Sequence, residues 1–327
     1  MQRPILCQRS IHLQNQQNFP PLHKILRMLK TIQQADPKRL SLLAILLLCF
    51  IWGTTHIAVK YAIQTIPVFF MAGIRELMAS LIFLGFSLWL EKPKAVDWKD
   101  VLRQGLFGLG FFAAARGLMV LGLDYAPAGL VALVFSLIPV YVLFINLLMG
   151  QGRLNRRIIM GLLLGALGMF LVFRESLFNL EGTDALVGMG IALGGAICWA
   201  GTSVLLSDGR DGELPAMFRS AVQLFFGAMG LLLISGVLLE PVDFSAISVV
   251  SMLGVAYLVL FGSIVGFGSY VYAIRHLPVA QVTLYAYINP FVALFFAWLL
   301  LDELLTLELL LSFGVTLAGV WLLSRGR

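Results

Sequence analysis

Three charged residues, Arg75, Glu76 and Arg116, lie within long apolar stretches of this chain. Arg75 is about 8 residues, and therefore about 12 Å along a helix, from the nearer end of its stretch. In a membrane, a charge at that depth costs about 3 kcal/mol or more unless it faces a cavity or a partner. Its guanidinium could bind a substrate carboxylate with two parallel hydrogen bonds, or it could form an ion pair between helices. Arg116 is about 6 residues from an end and could instead extend to the membrane surface.

Glu76 follows Arg75 directly and offers a carboxylate that could take up a proton. An ion pair with another helix is the alternative role for this carboxylate. Because adjacent helical positions point about 100° apart, the sequence predicts that the Arg75 and Glu76 side chains face different neighbours. His56 is a second group that could carry a proton, and a histidine hydrogen-bonded inside the helix bundle is its alternative. Glu76 and His56 are therefore candidates for proton coupling.

Other polar and aromatic side chains occur in apolar stretches, where a few polar groups in an apolar pocket would orient a small ligand. Tight packing and hydrogen bonds between helices are the alternatives for the same residues. The candidates for a substrate cavity, besides the charged groups and His56, are Trp52, Thr55, Trp199, Thr202, Tyr257, Tyr270, Tyr285, Tyr287 and Asn289.

Glycines recur at intervals of three or four residues in three of the apolar stretches. The sets are Gly161, Gly165 and Gly168; Gly190 and Gly194; and Gly262 and Gly266. Small residues at this spacing form a groove on one face of a helix and let a second helix approach closely. The pattern predicts close helix packing at all three places.

Composition indicates a membrane protein. The chain is 60% hydrophobic and 12% charged, its mean hydropathy is +0.93, and soluble domains carry about 25% charged residues. The three cysteines, Cys7, Cys49 and Cys198, are an odd number and imply no disulfide framework. The net charge of +6 is then better explained by cytoplasmic loops than by nucleic-acid binding.

Ten stretches are long enough to cross a bilayer as helices, which satisfy their own backbone hydrogen bonds. We refer to these predicted crossings as spans. Turn and charge signals such as "EKPKAVDWKD" and "SDGRDGELP" separate them. The predicted spans are 40–62, 67–90, 101–122, 127–149, 156–173, 185–206, 215–239, 247–273, 279–301 and 304–323.

Residues 1–39 form a polar, glutamine-rich leader without a sustained apolar run, and it is neither a signal peptide nor a span. We expect a disordered basic cytoplasmic leader, which could touch anionic lipid. An untranslated leader is the alternative, and Met28 is then a second candidate for the true start beside Met1.

Lysine and arginine predict the orientation of the chain. If the N-terminus is cytoplasmic, most of the 23 basic residues lie in cytoplasmic segments, while the external segments contain Lys60 and Arg174. The positive-inside rule therefore predicts that both termini are cytoplasmic.

The two halves of the chain resemble each other. Pro127 and Pro139 correspond to Pro278 and Pro290 at a constant offset of 151 residues, within "APAGLVALVFSLIP" and "LPVAQVTLYAYINP". Fixed-period similarity of this kind marks a repeated unit. Because Pro139 and Pro290 fall in the middle of their spans, the sequence predicts a helix kink at each. Packing of proline against neighbouring helices is the alternative.

Loop charges predict that the second repeat is inverted. The basic loop 150–157 corresponds to the acidic segment 302–308, and the basic loop 91–99 corresponds to the acidic segment 240–243. Five spans per repeat would place equivalent loops on opposite sides of the membrane. Inverted repeats that meet at the midplane are typical of transporters.

These residues resemble the drug/metabolite transporter superfamily, and specifically its EamA-like branch of ten-helix permeases. The resemblance rests on "IWGTTHIAVKYAI", on Arg75 in "AGIRELMASLIFL", on "LGLDYAPAGLVALVFSLIP" and on "YAIRHLPVAQVTLYAYINPFVALFFAWLLLDELL". It covers residues 40–324 and implies two EamA repeats, 40–173 and 185–324, with alternating access and small-molecule traffic, often export of amino acids.

The chain departs from the family pattern at two loop positions. The family usually has a glutamate after the fourth and ninth spans, and here Glu303 follows the ninth whereas Gly152 stands after the fourth. Asp124 stands where the family commonly has a basic residue. These departures concern loop chemistry and weaken the transfer of site assignments from the family.

The sequence therefore predicts an all-α membrane protein that moves small metabolites, with amino acids or related organic acids favoured by Arg75 and Arg116. Drugs, nucleotide sugars and other metabolites are alternative substrates, and an intramembrane enzyme or a scaffold is the alternative class. No hydrolase, nucleotide-binding or metal-site motif occurs, so we expect no catalysis, cofactor or metal. We expect a multi-pass inner (plasma) membrane protein whose partners are the bilayer and a small substrate, without nucleic acid, as a monomer or homodimer.

Overall fold

Helices provide the regular structure of the chain in a computed structural model. It describes residues 36–93, 96–150, 155–178, 182–209, 214–301 and 306–325, and no strand occurs within these ranges. Most of the leader, including Met28, and the loop positions Gly152 and Glu303 lie outside the described residues.

We number the helices α1 to α10 in chain order, and we give interrupted helices the same number. Their bounds lie within a few residues of the predicted spans. They are α1 Pro37–Ala62, α2 Val68–Phe86 with Ser87–Glu91, α3 Trp98–Gly108 with Leu109–Arg116 and Gly117–Leu123, α4 Ala128–Ser136 with Ile138–Leu148, α5 Arg156–Phe178, α6 Gly182–Ser207, α7 Ala216–Val237, α8 Val249–Tyr257 with Leu258–Phe267 and Gly268–His276, α9 Val279–Val282 with Tyr285–Leu301, and α10 Leu307–Ser324.

Length and composition suit these helices to a membrane. Within the described residues, nine are long and apolar enough to cross it, and Leu307–Leu323 in α10 is a shorter apolar helix. Many large apolar side chains lie on the outside of the bundle, for example Leu148, Leu163 and Leu233. Such a surface is unfavourable in water and suits contact with lipid tails.

The two halves repeat the same local structure. The third and eighth helices each begin after a side-chain cap, Asp97 in one and Ser248 in the other, 151 residues apart. Each then widens to i→i+5 hydrogen bonding, over Leu109–Arg116 and over Leu258–Phe267. A π-helical stretch of this kind is rare and is often found at functional sites.

Four helices begin after a proline, and these positions also repeat. Pro67 precedes α2 and Pro215 precedes α7, while Pro127 precedes α4 and Pro278 precedes α9. Proline has no side-chain acceptor, so it leaves the first amides of the helix without a local cap.

Two glutamates supply the missing caps from the other half of the chain. The Glu91 carboxylate at the end of α2 accepts hydrogen bonds from the main-chain nitrogens of Met217 (2.9 Å) and Phe218 (3.2 Å) at the start of α7. The hydroxyl of Ser87 also donates to it at 2.8 Å. A carboxylate at a helix N-terminus is favoured by the unpaired amides and by the helix dipole.

The opposite ends of the same helices repeat this arrangement. Glu240, which follows α7, accepts from the main-chain nitrogens of Phe69 (3.1 Å) and Phe70 (2.8 Å) at the start of α2. The hydroxyl of Ser235 donates to it at 2.7 Å. Because each helix ends where the other begins, α2 and α7 run antiparallel along their length.

We expect Glu91→Gln and Glu240→Gln each to lower the free energy of unfolding by about 1 kcal/mol, because each removes a charge from a helix N-terminus. Thermal melting of the purified protein in detergent would measure the loss. Asp243→Asn is the matched control, since Asp243 is exposed and hydrogen bonds from Ser245 hold the pKa of its carboxyl below its usual range. A control that melts as low as the two variants would contradict the capping role.

The fifth and tenth helices pack through the predicted glycine groove. A Cβ atom built on Gly319 would lie 2.5 Å from the main-chain nitrogen of Gly165 and 2.6 Å from the carbonyl oxygen of Gly161. A Cβ atom on Gly168 would collide with Thr316. These backbones touch, so the close packing predicted for Gly161, Gly165 and Gly168 is confirmed. At Gly190 the prediction is wrong, because a Cβ atom there meets nothing within 4 Å, and at Gly194 it would make only an ordinary contact with Leu118 at 3.6 Å.

Gly319→Ala should therefore destabilise the protein by about 1–3 kcal/mol, because main-chain atoms cannot move aside for the added methyl group. Gly314→Ala in the same helix is the matched control, since a Cβ atom there meets nothing within 4 Å. Melting curves of the two variants in detergent check this prediction. Equal melting temperatures would contradict it.

Candidate functional site

The charged residues predicted from the sequence meet in one buried network. The Arg116 guanidinium donates through Nη1 to Oε1 of Glu76 at 2.6 Å. Nε of Arg75 lies 3.5 Å from the same oxygen and donates to the hydroxyl of Ser263 at 2.8 Å. That hydroxyl in turn donates to Oε2 of Glu76 at 2.6 Å. We call these four residues the charge network.

Burial makes this network electrostatically unusual. Glu76 is 0% exposed, Ser263 1% and Arg75 6%, while the Arg116 side chain is 20% exposed. Two guanidinium groups face one carboxylate, so the network carries a net charge of about +1 when its groups hold their usual charges. A buried excess charge is unfavourable unless an ion of opposite sign neutralises it.

Two features of α8 make room for the network. A Cβ atom on Gly262 would lie 2.8 Å from Nη2 of Arg75, so a side chain at this position would displace the guanidinium. Gly262 and Ser263 both belong to the π-helical stretch, whose wider turn alters the direction of successive side chains. The glycine spacing predicts a helix-packing groove at Gly262, but the immediate neighbour of Gly262 is the Arg75 side chain.

The expectation that Arg75 and Glu76 face different neighbours is wrong. Their Cα–Cβ bonds diverge, but both side chains are long enough to reach the hydroxyl of Ser263 from either side. Arg116 likewise turns inward to Glu76 and does not extend to the surface, and its guanidinium lies 5.4 Å from the Phe112 ring centroid. Ser263 had no sequence signal beyond being a serine in an apolar stretch.

Four of the predicted aromatic residues form a cluster beside the network. The Trp52 ring centroid lies 4.9 Å from that of Tyr285 and 5.7 Å from those of Trp199 and Tyr270. Trp199 and Tyr270 are also 5.7 Å apart. We call Trp52, Trp199, Tyr270 and Tyr285 the aromatic cluster. It comes from α1, α6, α8 and α9, and it therefore joins both halves of the chain.

A hydrogen bond connects the aromatic cluster to the charge network. Nε1 of Trp52 donates to the carbonyl oxygen of Gly262 at 3.0 Å, and Gly262 contacts the Arg75 guanidinium. Phe111, which the sequence analysis did not select, packs against Trp199 with ring centroids 4.9 Å apart and is fully buried. Trp199 and Tyr270 are buried as well, so the aromatic side chains fill the space beside the charges in this conformation.

The remaining polar candidates lie at different distances from this centre. Thr55 contacts Gly262 and donates to the carbonyl oxygen of Trp52 at 2.7 Å. Thr202 packs against Gly110 in the π-helical stretch of α3. Asn289, oriented with its amide nitrogen toward two carbonyls, donates to Cys49 and Tyr285 at 3.2 Å.

Two predicted cavity residues, Tyr257 and Tyr287, are not brought to the two central groups. The Tyr257 hydroxyl pairs with Oγ1 of Thr54 at 2.7 Å. Tyr287 is fully buried against Gly165 in α5, and its hydroxyl donates to the carbonyl oxygen of Leu162 at 3.4 Å. The side chain of His56 lies outside the described residues, although its backbone is part of α1.

The two mid-span prolines occupy different positions in their helices. The fourth helix is interrupted at Leu137, and Pro139 stands in the first turn of its second segment, where a missing amide proton breaks no hydrogen bond. In the ninth helix the interruption lies between Val282 and Tyr285, and Pro290 is inside the segment that follows. Both halves thus interrupt the equivalent helix, although the position of the break relative to the proline differs.

Comparison with known proteins identifies the family. The profile of the EamA-like transporter family matches residues 39–174 and again residues 186–325. The chain belongs to the EamA-like transporter family. This agrees with the resemblance to the drug/metabolite transporter superfamily. Nine of the described helices are suited to cross a bilayer, so the chain is an integral, multi-pass membrane transporter.

Individual relatives of the chain are also named as transporters. The chain is 31% identical over 287 residues to the "Uncharacterized inner membrane transporter YedA" of Escherichia coli (strain K12), covering 87% of this chain and 90% of that protein. It is 23% identical over 286 residues to the "Uncharacterized transporter YoaV" of Bacillus subtilis (strain 168), covering 86% and 95%. One solved crystal structure superimposes with a TM-score of 0.75 at 16% identity, covers 89% of this chain and 99% of its own, and shows the fold alone.

Proposed function

We propose that this EamA-like protein is a secondary transporter for small metabolites that carry a carboxylate, namely amino acids or related organic acids. The observation that supports this is the charge network, in which two arginines face a single glutamate among membrane helices. An anionic substrate group would neutralise the excess charge, and guanidinium groups bind carboxylates with two parallel hydrogen bonds.

Arg75 is the residue to which we assign the substrate carboxylate. Its Nε binds Ser263, and its two terminal nitrogens form no hydrogen bond to any residue that the structure describes. Glu76 holds both cations in the absence of substrate, and a substrate carboxylate would compete with it for Arg75. We further propose that Glu76 couples transport to proton movement, with His56 as the second candidate.

The aromatic cluster gives the proposed substrate its apolar surface. Trp52 lies next to Gly262 and hence next to Arg75, so a molecule bound to the guanidinium would place its side chain against the indole. Polar groups around this position come from Thr55, Thr202, Tyr270, Tyr285 and Asn289. At its edge, Tyr257 and Tyr287 form hydrogen bonds between helices.

We propose that transport proceeds by alternating access between two inverted repeats, 40–173 and 185–324, with ten crossings and both termini in the cytoplasm. The repeated caps and π-helical stretches at offsets of about 150 residues support the repeat. The antiparallel pairing of α2 with α7, which are equivalent helices, supports its inversion. The distribution of lysine and arginine supports the orientation.

We place the protein in the inner (plasma) membrane, as the name of its Escherichia coli relative states for that protein. Export of the metabolite from the cytoplasm is the direction we propose. Unequal uptake into and release from oriented vesicles would test it.

Uptake of labelled metabolites into proteoliposomes tests the proposed function. Purified protein would be screened against pools of radiolabelled amino acids, organic acids, nucleotide sugars and lipophilic cations, with protein-free liposomes as the blank. We expect accumulation of one or more carboxylates above the blank. Accumulation of cations or nucleotide sugars, with carboxylates at the level of the blank, would overturn the proposal.

A further inference from the structure

Arginines gather at the corner of the bundle where α5 begins and α10 ends. Gly161, near the start of α5, packs against Leu323, near the end of α10. The start of one helix therefore lies beside the end of the other. Arg156 and Arg157 begin α5, and Arg325 directly follows α10. We call these three arginines the basic corner.

Contacts hold Arg157 and Arg325 against each other. Nη1 of Arg157 donates to the main-chain carbonyl oxygen of Arg325 at 3.4 Å. The guanidinium carbon of Arg325 lies 4.4 Å from the centroid of the Trp321 ring, which is four residues and thus about one turn back in α10. Arg325 therefore folds back along the helix and keeps its guanidinium close to the end of the apolar segment Leu307–Leu323.

No carboxylate of the described residues neutralises the basic corner. Its three arginines are exposed, and none of them forms an ion pair within the described ranges. The sequence contains no aspartate or glutamate over 125–174 or over 309–327, so the acids of α5 and α10 are confined to the opposite ends of these helices. Two more arginines, Arg153 and Arg327, adjoin the corner in sequence and lie outside the described residues.

The opposite ends of the same two helices have a different charge pattern. There Arg174 of α5 forms an ion pair with Glu308 of α10, so the cation of one helix is neutralised by the other. At the basic corner both helices bring cations, and like charges repel each other. The first turn of a helix is also the unfavourable end for a cation. Packing of α5 on α10 therefore does not explain these arginines, whereas an anion from outside the chain would stabilise them.

The helix surfaces next to the corner are apolar and exposed. Met160 and Leu163 on α5 are 55% and 65% exposed, and Leu317 and Trp321 on α10 are 41% and 52% exposed. In a membrane protein such surfaces contact acyl chains. Tryptophan is enriched at the depth where acyl chains meet the headgroups. The basic corner therefore lies at the level of lipid phosphates.

We propose that the basic corner binds the headgroup of one anionic phospholipid, whose acyl chains lie along the exposed faces of α5 and α10. Phosphate oxygens accept hydrogen bonds from guanidinium groups, and basic pockets between helices at the membrane surface suit anionic headgroups. A zwitterionic phospholipid has the same phosphate but carries a cation of its own, so it should bind more weakly. The basic corner shares no residue with the charge network, and the proposal does not rest on the proposed function.

Native mass spectrometry of the full chain in detergent tests this proposal by counting bound lipids. The protein would be titrated with phosphatidylglycerol and, separately, with phosphatidylcholine that has the same acyl chains. The test variant combines Arg157→Gln with Arg325→Gln. The matched control combines Lys99→Gln with Arg103→Gln, which removes the same number of positive charges from exposed positions in the first turns of α3. Each protein would first be purified as a single species by size exclusion.

We expect the wild type to bind its first phosphatidylglycerol about five times more tightly or more than its first phosphatidylcholine. The test variant should lose about tenfold in affinity for phosphatidylglycerol, because two cations at the headgroup are removed. Arg157→Lys with Arg325→Lys should keep most of the affinity, and the control should keep the wild-type value. A diazirine-bearing phosphatidylglycerol, activated by light, should label peptides from the start of α5 and the end of α10.

Three results would overturn the inference. Equal affinity of the wild type for the two lipids would exclude an anionic lipid and favour a soluble acidic partner for the basic corner. An equal loss of affinity in the test variant and the control would assign the binding to net charge and not to the corner. Label confined to other helices would place the lipid elsewhere. A failed carboxylate screen in proteoliposomes changes none of these results, so failure of the transport proposal is distinguishable from failure of this one.

Discussion

Arg75→Ala is expected to reduce carboxylate uptake into proteoliposomes by about 30-fold or more, because truncating one partner of a buried, hydrogen-bonded charge pair costs about 2–5 kcal/mol of binding. Arg75→Lys should retain part of the activity, since lysine keeps the charge but loses the planar guanidinium. Arg75→Ala should still fold, because Glu76 remains paired with Arg116, which lies at 2.6 Å, when the Arg75 side chain is removed.

The measurement is the initial rate of uptake, normalised to protein that elutes as a single species in size exclusion. Arg103→Ala is the matched control, because the Arg103 side chain is 40% exposed in the first turns of α3, where it pairs with Asp100 at 3.0 Å. It should transport at the wild-type rate. Wild-type uptake by well-folded Arg75→Ala would remove Arg75 from the substrate site.

Glu76→Gln should have the largest effect on stability. The change leaves two guanidinium groups in the bundle without their shared anion, and breaking a buried charge pair in this way costs about 3–5 kcal/mol. We expect a strongly lowered melting temperature and aggregation in detergent. A second substitution, Arg116→Gln, should restore much of the stability, because it removes one of the two uncompensated charges.

Glu308→Gln is the matched control for this prediction, since Glu308 pairs with Arg174 on the surface, with side chains 63% and 38% exposed. Exposed pairs contribute about 0–1 kcal/mol, so the same chemical change there should be nearly silent. If Glu76→Gln and Glu308→Gln melted at the same temperature, the charge network would not hold the helices together.

Much of the helical framework could be predicted from the sequence. Runs of about 20 apolar residues set the helix bounds, and turn residues between them set the breaks. The correspondence of Pro127 with Pro278 predicted a repeated unit, and both prolines immediately precede equivalent helices. These features depend on local sequence, which is why they could be found without coordinates.

The site was predictable only in part, because its geometry depends on contacts between distant segments. Trp52 and Trp199 were selected for their central positions, and they do meet. Ser263 carried no signal, and the spacing of Gly262 indicated only helix packing, since their roles arise from the π-helical stretch of α8 and from the length of the Arg75 side chain. Tyr287 has the same residue type and depth as Tyr285, but it faces α5.

The helix breaks show the same limit. Proline predicted an irregularity in the middle of each repeat-related helix, but the chain interrupts α9 before Tyr285, ahead of Pro290. A proline fixes only the position at which one backbone donor is missing, and in α9 the break lies ahead of that position, between Val282 and Tyr285. The reciprocal caps by Glu91 and Glu240 were likewise hidden, since both glutamates read as ordinary loop charges.

The central claim is that the charge network recognises a carboxylate, and competition between an acid and its primary amide tests it most directly. Uptake of the labelled carboxylate identified in the screen would be measured against the unlabelled acid and against its amide, which has nearly the same shape and no negative charge. We expect the acid to suppress uptake, whereas the amide should require an about 30-fold higher concentration or fail to compete. Equal competition by the acid and the amide would contradict it.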